Sequence, residues 1–363
     1  MACFDVLIAG GGPAGCATAI SLADFAPSLQ VGLIDPAEHG KLRIGETVPP
    51  HIKPALVHLG LWKQFDRDGH CPSYRTMASW GDERLGSNEF LLHTHQIGWR
   101  LDRAAFDRML LEAALSRVCG RFTARVVAMT SGADGWRLSL SDGTEHRARF
   151  VVDATGNVAA LARQCQLSMA NFDRLVACCL YTGSRSDGTE GLMIETFSDG
   201  WWYTAAIPGG PRIVVCMTDA DRVRALKLSL TGNFLDLLAK TNHVRRTAEV
   251  DRTLDQPTIV PASSRFFSAN PALSLLCVGD SGSRYDPVCG QGIIKALRSG
   301  TFASYAIADW LHHADDRGLV RYRLMLQREF AAYRITLQDY YAQEQRWSQN
   351  PFWRRRHSGP TSV

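Results

Sequence analysis

Apolar residues along this chain follow two different periods, and the places where one gives way to the other outline its elements. Residues 4–9 are a short apolar run that stops abruptly at glycine, the pattern of a strand buried on both faces. Pro13 then opens a stretch of small and apolar residues and suits a first helical turn. Further buried strands are read at 30–35, 149–156 and 273–280, each closing on a small or acidic residue. Between the last two, residues 175–182, 191–197, 201–207 and 212–218 are short, apolar or alternating. Ser198-Asp199-Gly200 and Pro208-Gly209-Gly210 mark turns among them. An antiparallel sheet is the simplest assembly of such segments. From Gly292 the spacing changes to three and four, through 307–310 and then 324–345, which predicts C-terminal helices. Residues 353–360 hold three consecutive arginines and read as a solvated, frayed tail.

The first of these breaks carries chemistry. Gly10, Gly12 and Gly15, with Pro13 and Ala14 between them, have the spacing of a dinucleotide fingerprint: two glycines turn the chain and let its backbone approach a pyrophosphate, and the third allows close helix packing. Asp35 closes the second strand twenty residues beyond Gly15, where an acid would hold a ribose hydroxyl. With 31 glycines in 363 residues, chance alone supplies about 0.2 such spacings. The weight therefore rests on the strand before, the helix after and the acid beyond. A helix N-terminus offers the pyrophosphate unpaired N–H groups and a positive dipole end.

Composition narrows the class. Hydrophobic content of 45% is enough for the core of one large or two joined domains. No apolar run nears the ~18 residues of a membrane span and the chain enters its first strand at once, so a cytoplasmic protein without signal peptide is expected. A net charge of +4 does not argue for nucleic acid. Ten cysteines are scattered without a CxxC pair or metal-ligand spacing, so reduced thiols and no metal are expected. No Ser/His/Asp signature or P-loop lysine is present, which leaves hydrolase and kinase readings without residues.

Five segments resemble the flavoprotein monooxygenases built like p-hydroxybenzoate hydroxylase, and within them the tryptophan-halogenase-like branch. They are GGGPAG at 10–15, GETVPP at 45–50, the stretch from Asp102-Arg103 to Phe106-Asp107, VVDATG at 151–156, and VGD followed by DPVCGQGI at 278–293. Their shared order implies FAD rather than NAD. The resemblance also implies an α/β fold in which a Rossmann-like FAD-binding domain (1–70, 95–170 and 272–315) carries an inserted antiparallel-sheet substrate domain (71–94 and 171–271), with a C-terminal helical segment at 316–363. Asp35 would hold the adenosine ribose, Arg43 and Arg103 would lie near the cofactor, and Asp280 would bind its ribityl or pyrophosphate part. Pro287, Gly290, Gly292 and Ile293 would set a helix N-terminus against the flavin ring, stabilising a reduced, anionic flavin by roughly 0.3 to 2 kcal/mol. Trp99, Trp201, Trp202 and Tyr203 are pocket candidates, against the commoner reading of aromatic residues in strands as core.

The activity the resemblance implies is an FAD-dependent monooxygenase that hydroxylates an electron-rich aromatic substrate through a flavin C4a-hydroperoxide. One relative class hydroxylates a tryptophan within a partner polypeptide to build a tryptophylquinone cofactor, so the substrate is an aromatic small molecule or a polypeptide. NAD(P)H or a separate flavin reductase would supply electrons. The rivals are a reductase or dehydrogenase of the geranylgeranyl-reductase type and a non-catalytic escort protein that keeps the fold. Among acid–base candidates Glu46 leads, and His51 follows for nearness to it; His70, His93 and His95 flank the same region. Hydroxylation is expected over halogenation because no lysine occurs between Lys63 and Lys227, the interval that should hold a halogenase's catalytic one. The halogenase W-x-W-x-I-P segment corresponds to residues 203–208, which keep only Ile207-Pro208. Arginine, always protonated, offers no neutral amine in its place.

Overall fold

The computed structural model describes residues 2–36, 44–132, 134–184 and 191–358. Strand Ala2–Ala9 lies inside a seven-stranded sheet, parallel to Val31–Ile34 on one side and to Glu145–Asp153 on the other. Gly120–Phe122 extends the sheet in parallel beyond Val31–Ile34, and Leu275–Cys277 pairs in parallel with the end of Glu145–Asp153. The apolar runs read in the sequence are buried on both faces. Val6 and Ile8 pack with helices Pro13–Phe25 and Gly292–His313, while Leu7 and Ala9 pack with Trp136, Leu138 and Leu161. The two helices approach closely at Gly300, where a Cβ would stand 2.3 Å from the carbonyl oxygen of Ala14.

A second sheet of eight strands carries the alternating segments. Leu175–Ser184, Arg212–Asp219, Gly200–Ala206 and Leu192–Phe197 follow one another in antiparallel register. Val250–Thr253 and Thr258–Pro261 both pair with Leu175–Ser184. At the opposite side Arg75–Ser79 joins Leu192–Phe197 in parallel and Gly86–Glu89 closes the edge. That parallel pair departs from the antiparallel rule because residues 75–79 reach the sheet from a distant part of the chain; no hairpin imposes direction on them.

The expected frayed tail is corrected over residues 353–357. They form most of helix Pro351–His357, in which Phe352 and Trp353 are fully buried against the second sheet's core. Arg355 and Arg356 meet Asp219, the last residue of its strand, at 2.6 and 2.9 Å, and Arg355 also meets Asp221 at 2.8 Å. The basic run is thus one side of an ion-pair cluster, and the apolar pair beside it docks the helix. Among the described residues no helix is long and apolar enough to cross a membrane, and no group of His, Cys, Asp and Glu could hold a metal ion.

Candidate active site

The glycine turn leaves open space at the start of a helix. Gly10 has φ +114°, and a Cβ there would stand 2.2 Å from the carbonyl oxygen of Ala154, so only glycine lets the first strand end against the third. Gly12, by contrast, has no protein atom within 4 Å of where its Cβ would be. Helix Pro13–Phe25 starts at that opening with no side-chain cap and no acid in its first turn, which leaves its N–H donors to an anion. Asp35 stands at the end of the second strand and accepts the Gly11 N–H at 2.6 Å, which holds its carboxylate beside the turn. Gly290 and Gly292 also face open space, at the start of the 22-residue helix Gly292–His313, which likewise lacks a side-chain cap. Asp280 precedes this helix; its partly exposed carboxylate pairs with Lys295 Nζ at 2.9 Å. Two uncapped helix starts, each opened by glycine, plus a carboxylate at a strand end are a donor and acceptor set that fits FAD.

Beside this cradle lies a buried carboxyl. The turn from Ile44 to Glu46 is held by Arg103, whose Nη1 donates to the Ile44 carbonyl at 2.7 Å while its Nη2 pairs with Asp107 at 3.2 Å. A Cβ at Gly45 would stand 2.3 Å from Arg103 Nη1 and 3.8 Å from Ile293 Cδ1, so the turn is wedged against the helix start. Glu46 is 2% exposed and its Oε1 is buried with no hydrogen-bond partner. Burial raises its pKa to about 7, against the opposing pull of backbone N–H groups and of Arg103. Burial also raises Cys179, Tyr181 and Tyr203, and the nearby Glu46 charge adds to each. These three share one face of the second sheet: Cys179, Val215 and Tyr203 form one cross-strand row, and Tyr181, Ile213 and Ala205 the next. Ile44 packs on that face.

The candidates read from the sequence separate at this point. Pro13, Ala14, Gly15, Asp280, Pro287 and Ile293 fall at or beside the two helix starts, whereas Arg43 lies outside the described residues. Tyr203 and Trp201 share the Glu46-side face. Trp202, one residue between them, is on the other face against Phe234 at 5.0 Å, because strand side chains alternate. Trp99 belongs to a different core and packs edge-on to Trp62 and Phe65 at 5.9 and 5.3 Å. His51 is exposed and meets His93 at 5.3 Å, and His70 is buried between Phe65 and Phe106, its pKa lowered by burial. Sequence reasoning missed Cys179 and Tyr181, although their alternation in a strand was visible. It also missed Asp286, a fully buried carboxyl raised to about 7 by burial and by Asp173, whose Oδ2 accepts from Tyr341 at 2.8 Å.

The chain is similar to known proteins over most of its length. A family model describing lycopene cyclase proteins matches residues 5–173, which hold the glycine turn, Asp35 and Glu46 and end before the second sheet's antiparallel core. LodB of Marinomonas mediterranea, whose name places it with the FAD-dependent oxidoreductases, is 27% identical over 99% of this chain and 98% of its own length. The structure of CmlS, a flavin-dependent halogenase, superposes with TM-score 0.85 at 22% identity over 98% of this chain and 68% of that one. The structure of QhpG, a peptidyl tryptophan dihydroxylase essential for tryptophylquinone cofactor biogenesis, gives TM-score 0.76 at 23% identity over 98% of this chain and 79% of that one.

Proposed function

We propose that this chain, similar along its length to an FAD-dependent oxidoreductase and in fold to flavin-dependent halogenases, hydroxylates an electron-rich aromatic ring, a tryptophan side chain of a partner polypeptide being the leading substrate. FAD bound and reduced in the cradle would supply the electrons that activate dioxygen. The protein's own residues do the rest. The glycine turn and Asp35 would hold the cofactor's adenosine and pyrophosphate end. Arg103 holds the Ile44–Glu46 turn against the helix start. The face that bears Val215, Ile213 and Ala205 excludes water from the reacting ring. Glu46 Oε1, with a pKa near neutrality, accepts the proton that an indole ring releases when oxygen replaces hydrogen.

The observation that carries this reading is the unpartnered, buried Glu46 Oε1 beside a face of Cys179, Tyr181 and Tyr203 that bears no lysine among the described residues. Lys295, the lysine beside the cofactor cradle, is already engaged by Asp280 and by the Ser283 carbonyl. The resemblance to QhpG in fold supports the choice of a polypeptide tryptophan. The test supplies reduced FAD, dioxygen and chloride or bromide with tryptophyl peptides and free indoles, then weighs the products. A gain of oxygen independent of halide is expected; a halogen isotope pattern that depends on halide would overturn the proposal.

A further inference from the structure

Tyr203 begins a file of redox-active rings that leads away from the Glu46 site. Between ring centroids, Tyr203 lies 6.1 Å from Trp201, Trp201 lies 6.2 Å from Trp80, Trp80 lies 5.7 Å from Trp353, and Trp353 lies 6.3 Å from Trp347. Trp201 and Trp353 are buried, whereas Trp80 and Trp347 are half-buried, and the Arg346 guanidinium lies 4.4 Å above Trp347. Tyr341 stands beside the file, 5.5 Å from Trp80 and 5.9 Å from Trp353. Its hydroxyl accepts the Trp201 indole N–H at 2.9 Å and donates to Asp286 Oδ2 at 2.8 Å.

Four of the nine tryptophans stand in this one file. Phenylalanine or leucine would fill the same core without needing polar partners. Here the N–H groups of Trp80, Trp201 and Trp353 are each given an acceptor: the Tyr340 carbonyl, the Tyr341 hydroxyl and the Phe197 carbonyl. Electron tunnelling weakens exponentially with distance, so a series of contact-distance steps outruns one long jump.

We propose that the file carries stray oxidising equivalents from the Glu46 site to the surface. A one-electron oxidant formed from dioxygen at the Glu46 site takes an electron from Trp201. The vacancy passes through Trp80 and Trp353 to Trp347, where a soluble thiol refills it. The oxidant is reduced by one electron and takes up the proton that the thiol releases; two oxidised thiols join as a disulfide. Tyr341 is the way station: it gives its electron to an oxidised neighbour and its phenolic proton to Oδ2 of the ionised Asp286 carboxylate, and recovers both when the electron returns. The inference rests on oxygen chemistry at the Glu46 site, whichever product is formed.

The test generates the oxidant without oxygen, so that its failure is distinct from failure of the hydroxylation reading. FAD-loaded protein under argon is illuminated with blue light, ferricyanide serving as final electron acceptor, and is frozen for electron paramagnetic resonance. Wild type is expected to show a tyrosyl signal that Tyr341→Phe removes. Added glutathione should erase the wild-type signal, and at least tenfold more slowly in Trp347→Phe, which keeps a ring at a half-buried site, and in Trp353→Phe. Absence of a protein radical in wild type, a signal indifferent to Tyr341→Phe, or equal decay with glutathione in every variant would each overturn the proposal.

Discussion

Replacing Glu46 by glutamine should stabilise the protein at alkaline pH while removing its activity. The carboxyl is buried and its pKa rises from 4.5 to about 7, which corresponds to about 3 kcal/mol in favour of the neutral form. The sign follows from linkage. Between 4.5 and 7 the folded chain keeps a proton that the unfolded chain has lost, so stability falls as pH rises through this window and stays lower above it. Glutamine has nearly the same shape and no proton to lose. Urea unfolding of both proteins should therefore show little difference at pH 4.5 and a gain for Glu46→Gln that approaches about 2 to 3 kcal/mol at pH 8, allowing for relaxation around the charge. Turnover should fall by about 10²- to 10⁴-fold, the range for loss of a general base. A pH-independent stability difference, or a variant less stable at pH 8, would refute the assignment of a desolvated carboxyl at this position.

Other expectations concern the cofactor. Gly12→Ala should fold normally, since no protein atom lies within 4 Å of the added carbon, yet lose FAD affinity by about tenfold or more; Gly10→Ala should fail to fold, because its carbon would meet the Ala154 carbonyl. Circular dichroism beside FAD titration separates the two cases. Asp35→Ala should weaken FAD about tenfold to a hundredfold through loss of charge-assisted hydrogen bonds, and unchanged affinity by fluorescence titration would contradict the ribose assignment. FAD should be released on acid precipitation; colour retained on the pellet would mean a covalent link.

How far the site was legible depended on how local its physics is. The glycine turn, Pro13 and Asp35 obey rules written within about thirty residues, since a strand, a tight turn and a helix start each impose residue types on their own segment. The second sheet was legible as strands for the same reason: short apolar runs such as 201–207 lie between turn residues that the sequence shows. Which of Trp201, Trp202 and Tyr203 turns toward Glu46 was not legible, because a shift of one residue in pairing exchanges the two faces. The register with Val215 and Met217 decided it.

Charge was the least legible property. Asp35, Glu46 and Asp286 are all acids beside glycine-rich or proline-rich turns, and nothing local marks the last two as carboxyls that hold a proton near pH 7. Their surroundings come from segments more than a hundred residues apart in one case and about fifty in the other: Tyr181 and Tyr203 for Glu46, Tyr333 and Tyr341 for Asp286. Arg355 and Arg356 read as solvated for the same reason, since Asp219 and Asp221 reach them only through folding. The sequence by itself determined the elements, the cofactor turn and the scarcity of lysine, all of which follow from short-range sterics and composition. The tertiary structure alone decided which face meets the turn at Glu46 and which charges are desolvated, because burial is a property of what other segments exclude from water.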